Sequence, residues 1–169
     1  MDLLEFIHTR RSIRKYVDRP VSLEVIKEII AAGTSAPSAG NQQPWHFVVI
    51  TDKDLLKRAS EIHPHAKMAR DAAVAILVCG DPGLEKHKGY WVQDCAACTQ
   101  NILLAVHAKG LGAVWCGVYP RQERAEGFRR LLGIPEGIIP FALIPIGYPA
   151  EESRRVDRYR EDRVHYNGW

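Results

Sequence analysis

Two short segments carry most of the chemistry that can be read from the chain. Arg10-Arg11-Ser12-Ile13-Arg14-Lys15-Tyr16 packs three guanidinium groups and a hydroxyl into a few positions, and Ala36-Pro37-Ser38-Ala39-Gly40-Asn41-Gln42-Gln43-Pro44-Trp45 is a polar loop rich in amide and backbone donors. Guanidinium groups present planar, permanently charged paired donors, and a serine hydroxyl adds a compact one, which together suit phosphate oxygens. In the second segment Gly40 permits close backbone approach, while Ser38, Asn41 and Gln43 supply donors and acceptors that match the polar edge of a heteroaromatic ring. Taken alone, each has a plainer reading. The first could be a solvated basic turn and the second a connector entering a strand.

A third element is Gly110-Leu111-Gly112-Ala113-Val114-Trp115-Cys116-Gly117. Its first two glycines match half of a dinucleotide fingerprint, but Trp115 stands in the third glycine's place and the order runs from helix to strand, so a dinucleotide loop is rejected. Trp115 as a core aromatic with Gly117 as a turn residue is the alternative. Cys95-x-x-Cys98 lies in a helical pattern without a second ligand pair, so Cys79, Cys95, Cys98 and Cys116 read as reduced, buried thiols. His63, His65 and His87 lack carboxylate or thiolate partners at metal spacing and read as surface histidines. No metal site and no nucleophile elbow, phosphate-binding Walker loop or His-Glu-x-x-His helix is found.

These groups need a scaffold, and 169 residues suffice for one domain spanning 1–169. Hydrophobic content of 46% with 25% charged residues is that of a globular protein. No apolar run approaches a bilayer span and the acidic start is unlike a leader, so the expectation is a cytoplasmic protein with no membrane association. The net charge of +3 is mild. Basic clusters occur only near the ends, at Arg10–Arg19 and among Arg154, Arg155, Arg158, Arg160 and Arg163, the latter diluted by acids. That suits one small anion and no nucleic acid.

The patterning predicts a short helix from Leu3, a helix capped at its start by Ser22 and at its end by a left-handed Gly33, and strands at 46–51 and 73–79. It further predicts helices at 54–62, 90–109 and 123–132 and strands at 112–118 and 138–146. The 90–109 helix is apolar around much of its circumference, which favours cover by a second subunit. Irregular alternation of strands and helices points to an α+β fold.

The Arg-Arg-Ser-x-Arg-x-aromatic run followed by Ala-Pro-Ser-x-x-Asn-x-Gln-Pro-Trp closely resembles the FMN-dependent nitroreductase family. The resemblance is strongest over 10–47, good over 110–117 and 147–151, and weak over 61–88. It implies a mostly antiparallel central sheet flanked by helices, in an intertwined homodimer with two FMN sites at the subunit interface. Each site would take Arg10, Arg11, Ser12, Arg14 and Arg158 from one subunit and Pro37, Ser38, Ala39, Asn41 and Gln43 from the other. Trp115, Cys116 and Gly117 would pass the flavin with backbone donors near N5, and Lys67 is a further contact. The implied activity is ping-pong hydride transfer from NAD(P)H through FMN to a nitroaromatic, quinone or related small-molecule acceptor, with no side-chain acid or base. Some relatives carry glutamate where this chain has Cys116. Alternatives are a same-fold enzyme for flavin fragmentation or reductive dehalogenation, and a non-enzymatic FMN-binding module.

Overall fold

The computed structural model of the protein describes residues 2–152 and 154–169. Its centre is a sheet in which the long last strand, β6 (Ile139–Pro149), pairs along both edges. On one edge lies β3 (Val74–Gly80), followed outward by β2 (Trp45–Ile50), all antiparallel. The other edge carries two two-residue strands, β4 (Gly112–Ala113) and β5 (Cys116–Gly117), and a further one, β1 (Tyr16–Val17), pairs with the end of β6 at Tyr148 and Pro149.

Every residue of β3 is buried, because helices cover both faces of the sheet. Val74, Ile76 and Val78 point into one core with Ile26 and Ile29 of α2 (Leu23–Thr34) and Cys95, Cys98 and Ile102 of α4 (Trp91–Ala108). Ala75, Leu77 and Cys79 point into the other, with Leu56 and Ala59 of α3 (Lys53–Ile62) and Phe128 of α5 (Gln122–Leu132). The period of two along a strand thus divides six consecutive apolar residues between two cores. All four cysteines are free and buried in these layers. No helix among the described residues is long and apolar enough to cross a membrane.

Local signals place the helix starts as expected. The Ser22 hydroxyl accepts from Val25 N–H, Asp52 does the same for Leu55 at the start of α3, and Gly133 ends α5 at φ 63° in the left-handed region. Three expectations are corrected. Gly33 is not a left-handed cap: α2 runs on to Thr34, and Gly33 faces α4, where a Cβ would lie 2.7 Å from Ile102 Cγ1. Its smallness serves helix packing, a tertiary demand that no local pattern reports. The 112–118 strand is two fragments, although Gly112↔Gly147 and Cys116↔Leu143 belong to one continuous register on β6. His63 is 1% exposed and hence no surface histidine, whereas His65 and His87 are exposed.

Apolar surface remains uncovered in the single chain. In α1 (Leu3–Thr9) no residue is buried, and Leu3, Leu4 and Ile7 are exposed. Along residues 154–169 every side chain is exposed, including Val156, Tyr159, Tyr166 and Trp169.

Replacing a helical glycine by alanine ordinarily gains about 1 kcal/mol. At Gly33 the clash with a fully buried β-branched side chain opposes that gain by about 1–3 kcal/mol. Gly33→Ala is therefore expected to lower the midpoint of urea unfolding, and pairing it with Ile102→Ala should restore the ordinary helix gain relative to Ile102→Ala alone.

Candidate functional site

The strand fragments on the outer edge of β6 build the site. Antiparallel pairs alternate between residues that exchange both backbone hydrogen bonds with the partner strand and residues that turn both groups away. Val118 N–H donates to Phe141 O at 2.9 Å, so Val118 faces β6 and Gly117, one residue earlier, turns its N–H and C=O away. The same parity holds at Ala113, whose carbonyl accepts from Ile13 N–H at 2.9 Å. Ser12 bridges Ala113 in parallel fashion, which lays the arginine block along the outside of this edge. Tyr16 holds the segment in place, its hydroxyl near the carbonyl oxygens of Ile13 and Pro145.

A cleft of about 540 Å³ opens where Arg14 meets Trp115, Cys116 and Gly117, with His65, Lys67 and Arg124 on its far wall. It carries three permanent cations, and no carboxylate lines it. Trp115 is 36% exposed and leans on Phe141, with ring centroids 5.8 Å apart, so it is a wall of the cleft and no core residue. The Cys116 thiol is buried and pushed up to about 11 by that burial, which leaves it protonated at neutral pH. A second, smaller cleft of about 210 Å³ is lined by Arg10, Arg11, His107 and Glu151.

Arg10 has its pKa lowered by burial, and further by the positive fields of Arg11 and Arg158. Three guanidinium groups thus converge from both ends of the chain. Among the described residues neither Arg10, Arg14 nor Arg158 makes a salt bridge. Arg11 is spent differently: it donates to the carbonyls of Arg154 at 2.8 Å, Arg10 at 2.7 Å, His8 at 2.9 Å and Val156 at 3.4 Å. It staples the C-terminal segment beside the arginine block, and a second tie joins Arg155 to Glu5 at 2.5 Å.

The loop after α2 is held in an unusual conformation, with φ of 55°, 53° and 47° at Gly40, Asn41 and Gln43. Left-handed backbone at non-glycine residues persists only where surrounding contacts impose it. Here Asp94 of α4 does so: its carboxylate accepts from Ala39 N–H at 2.9 Å and from the Gln42 amide at 2.6 Å. Gln42 is buried, and its carbonyl accepts from the N–H groups of Lys86 and His87. Pro37 and Asn41 stay exposed, Ser38 and Ala39 half-buried, and Ser38 Oγ accepts from Gln43 N–H. The loop lines neither cleft. It packs near Asp94, whereas the arginine block packs beside His107, about 20 Å further along the same helix at 1.5 Å per residue.

Gln42, Asp94, His63 and Arg124 escaped the sequence reading. Asp94 had a signal, since it is the one charged residue among the eighteen of α4. His63 Nδ1 accepts from His65 N–H at 3.1 Å, which leaves the proton on Nε2, 2.8 Å from Gly117 O. Arg124 Nη1 donates to the same oxygen at 2.9 Å, and its buried Nε has no partner in the structure. No group of His, Cys, Asp and Glu among the described residues is arranged to hold a metal ion.

A helix-flanked antiparallel sheet whose last strand is edged by a basic block matches known proteins over its whole length. The Nitroreductase family matches residues 7–63 and 59–148, and the chain belongs to that family. A Methanothermobacter thermautotrophicus protein, provisionally named NADH dehydrogenase/NAD(P)H nitroreductase, is 54% identical over 169 residues, covering 100% of this chain and 88% of the relative. A crystal structure of a Parabacteroides distasonis protein with the same provisional name superimposes with a TM-score of 0.94 at 43% identity, covering 98% of both chains. A provisionally assigned nitroreductase from Desulfovibrio desulfuricans, crystallised with FMN, gives a TM-score of 0.85 at 32% identity over 100% of this chain and 98% of its own.

Asp94→Ala would leave the Gln42 amide and Ala39 N–H buried without an acceptor. Losing hydrogen bonds to a charged group is expected to cost about 1.5–3 kcal/mol of stability. Limited proteolysis should then cut within residues 37–43 faster than in the parent protein.

Proposed function

We propose that the protein is an FMN-dependent oxidoreductase that draws on NAD(P)H and reduces nitroaromatic, quinone or related small molecules in a shared, open cleft. The observation that carries this reading is the pairing of a cationic cluster at Arg10, Arg11 and Arg158 with a cleft lined by Arg14, Trp115, Cys116 and Gly117. A flavin mononucleotide has both requirements, a phosphate and a flat ring needing backbone donors. The family membership and the FMN-containing neighbour point the same way.

In this reading Arg10, Ser12, Arg14 and Arg158 hold the phosphate end. Arg11 adds positive field and keeps Arg158 in reach through its staple on the carbonyls of Arg154 and Val156. Trp115, Cys116 and Gly117 border the ring; the outward-turned backbone is that of Gly117, while Cys116 turns its backbone to β6 and its buried neutral thiol is a poor nucleophile. Pro37, Ser38, Ala39, Asn41 and Gln43 complete the site from a second copy of the chain. The support is geometric: the loop sits at the opposite end of α4 from its own arginine block, and α1 and residues 154–169 leave apolar side chains that a partner would bury. When bound, FMN supplies the hydride and electron transfer, and the protein binds, orients and shields it. Donor and acceptor occupy the open cleft in turn, as a ping-pong scheme requires.

Titrating apoprotein with FMN and with riboflavin tests the cofactor assignment. FMN should bind far more tightly, and Arg14→Ala should weaken FMN by about 1.5–3 kcal/mol, the scale of hydrogen bonds to a charged group, while changing riboflavin little. Equal affinities for the two would remove the phosphate assignment. Assembly is tested separately by sedimentation across a dilution series: flavin release should track dimer dissociation by mass action. A monomer fully loaded with FMN would show that the loop does not serve a neighbour's site.

A further inference from the structure

We propose that His63 and Arg124 are positioning residues that grip the Gly117 carbonyl and thereby hold the Gly117 N–H out into the cleft as a donor to the flavin ring. The inference rests on the FMN reading above, but concerns groups which that reading does not use. Gly117 turns both backbone groups away from β6, so nothing in the sheet restrains them, and a glycine carries no side chain to limit the rotation of its peptide planes. The carbonyl is restrained instead by two side chains from different elements, His63 at the end of α3 and Arg124 in the first turn of α5, at 2.8 and 2.9 Å. Within one extended residue N–H and C=O point to the same side. Fixing the oxygen therefore fixes the direction of the donor.

The grip depends on one tautomer. His63 Nδ1 is occupied as an acceptor for His65 N–H, so Nε2 alone can donate. A second proton would have to go on Nδ1, where it meets the His65 N–H head-on, in a surrounding that is otherwise cationic. Facing His63 are Arg124 from α5 and His65 from its own segment, while Lys67, Arg14 and the neutral thiol of Cys116 line the same cleft. Burial lowers the His63 pKa, the bond to Gly117 O opposes it, and the charges of Arg124 and His65 lower it further, so the neutral form prevails throughout the neutral range. Protonation would keep the Nε2–H donor but set an Nδ1 proton against His65 N–H and turn the ring, so the grip is complete above the ordinary histidine pKa of about 6.5 and loosens as pH falls through the lowered value.

The test is FMN binding to apoprotein from pH 5 to 8, with His63→Ala, His63→Gln and Arg124→Met. Glutamine can place an amide donor where Nε2 stands, but does not titrate. His63→Ala is expected to weaken FMN roughly three- to tenfold at pH 7.5, the scale of one hydrogen bond, and Arg124→Met to do likewise. His63→Gln should regain most of that affinity and lack the extra acid-side loss of the parent. The FMN phosphate titrates equally in all four proteins, so the difference between parent and His63→Gln isolates the imidazole. Parent-like affinity in His63→Ala and Arg124→Met would overturn the inference, as would an unchanged acid-side profile in His63→Gln. Should His63→Ala not fold, Arg124→Met and His63→Gln decide the matter. Failure of the parent protein itself to bind FMN would instead sink the functional reading.

Discussion

The pairing of β6 along both of its edges is the constraint on which the rest of the molecule depends. One edge is ordinary sheet, closed by β3 over most of its length. The other is covered by β4 and β5, fragments of two residues each, which pair with β6 yet turn their own outer groups away from the sheet. Buried unpaired peptide groups are costly, so each must find a partner outside the sheet. At Ala113 the partner is Ile13, which draws the basic segment into place, and at Gly117 it is a pair of side chains. Completion of the sheet and construction of the cleft are therefore one event.

Rigidity around this edge is borrowed from the helices. α4 spans the molecule and is anchored against β3, where a Cβ at Gly80 would lie 2.2 Å from the Trp91 ring. One end of this helix sets the 37–43 loop through Asp94, and the other supports the arginine block through Leu103, Val106 and His107. A single stiff rod thus fixes the distance between the loop and the arginine block.

Much of this was legible in the sequence, for reasons that differ by element. Helix starts at Ser22 and Asp52 and the stop at Gly133 follow local rules that involve only a few neighbouring residues. β3 was legible from its unbroken apolar run, and the two motifs from residue types that match one ligand chemistry. What escaped was non-local. Gly33 has the composition of a cap and the job of a packing contact, since only the position of Ile102 on another helix distinguishes them. His63 looked like a solvated histidine because its partners, Gly117 and Arg124, come from far along the chain. Gln42 is hidden by its neighbour: two adjacent glutamines are equivalent on paper, and only the buried Asp94 selects one for the interior.

The staple from Arg11 to the carbonyls of Arg154 and Val156 also sets a timetable for biosynthesis. Its two ends are 143 residues apart, so during translation the arginine cluster stands incomplete until residues 154–158 have left the ribosome. Chains emerge from the N-terminus first, at roughly 5–20 residues per second, and for those seconds Arg10 lacks the charge that Arg158 brings. A copy terminated before residue 154 would lack both the staple and that charge.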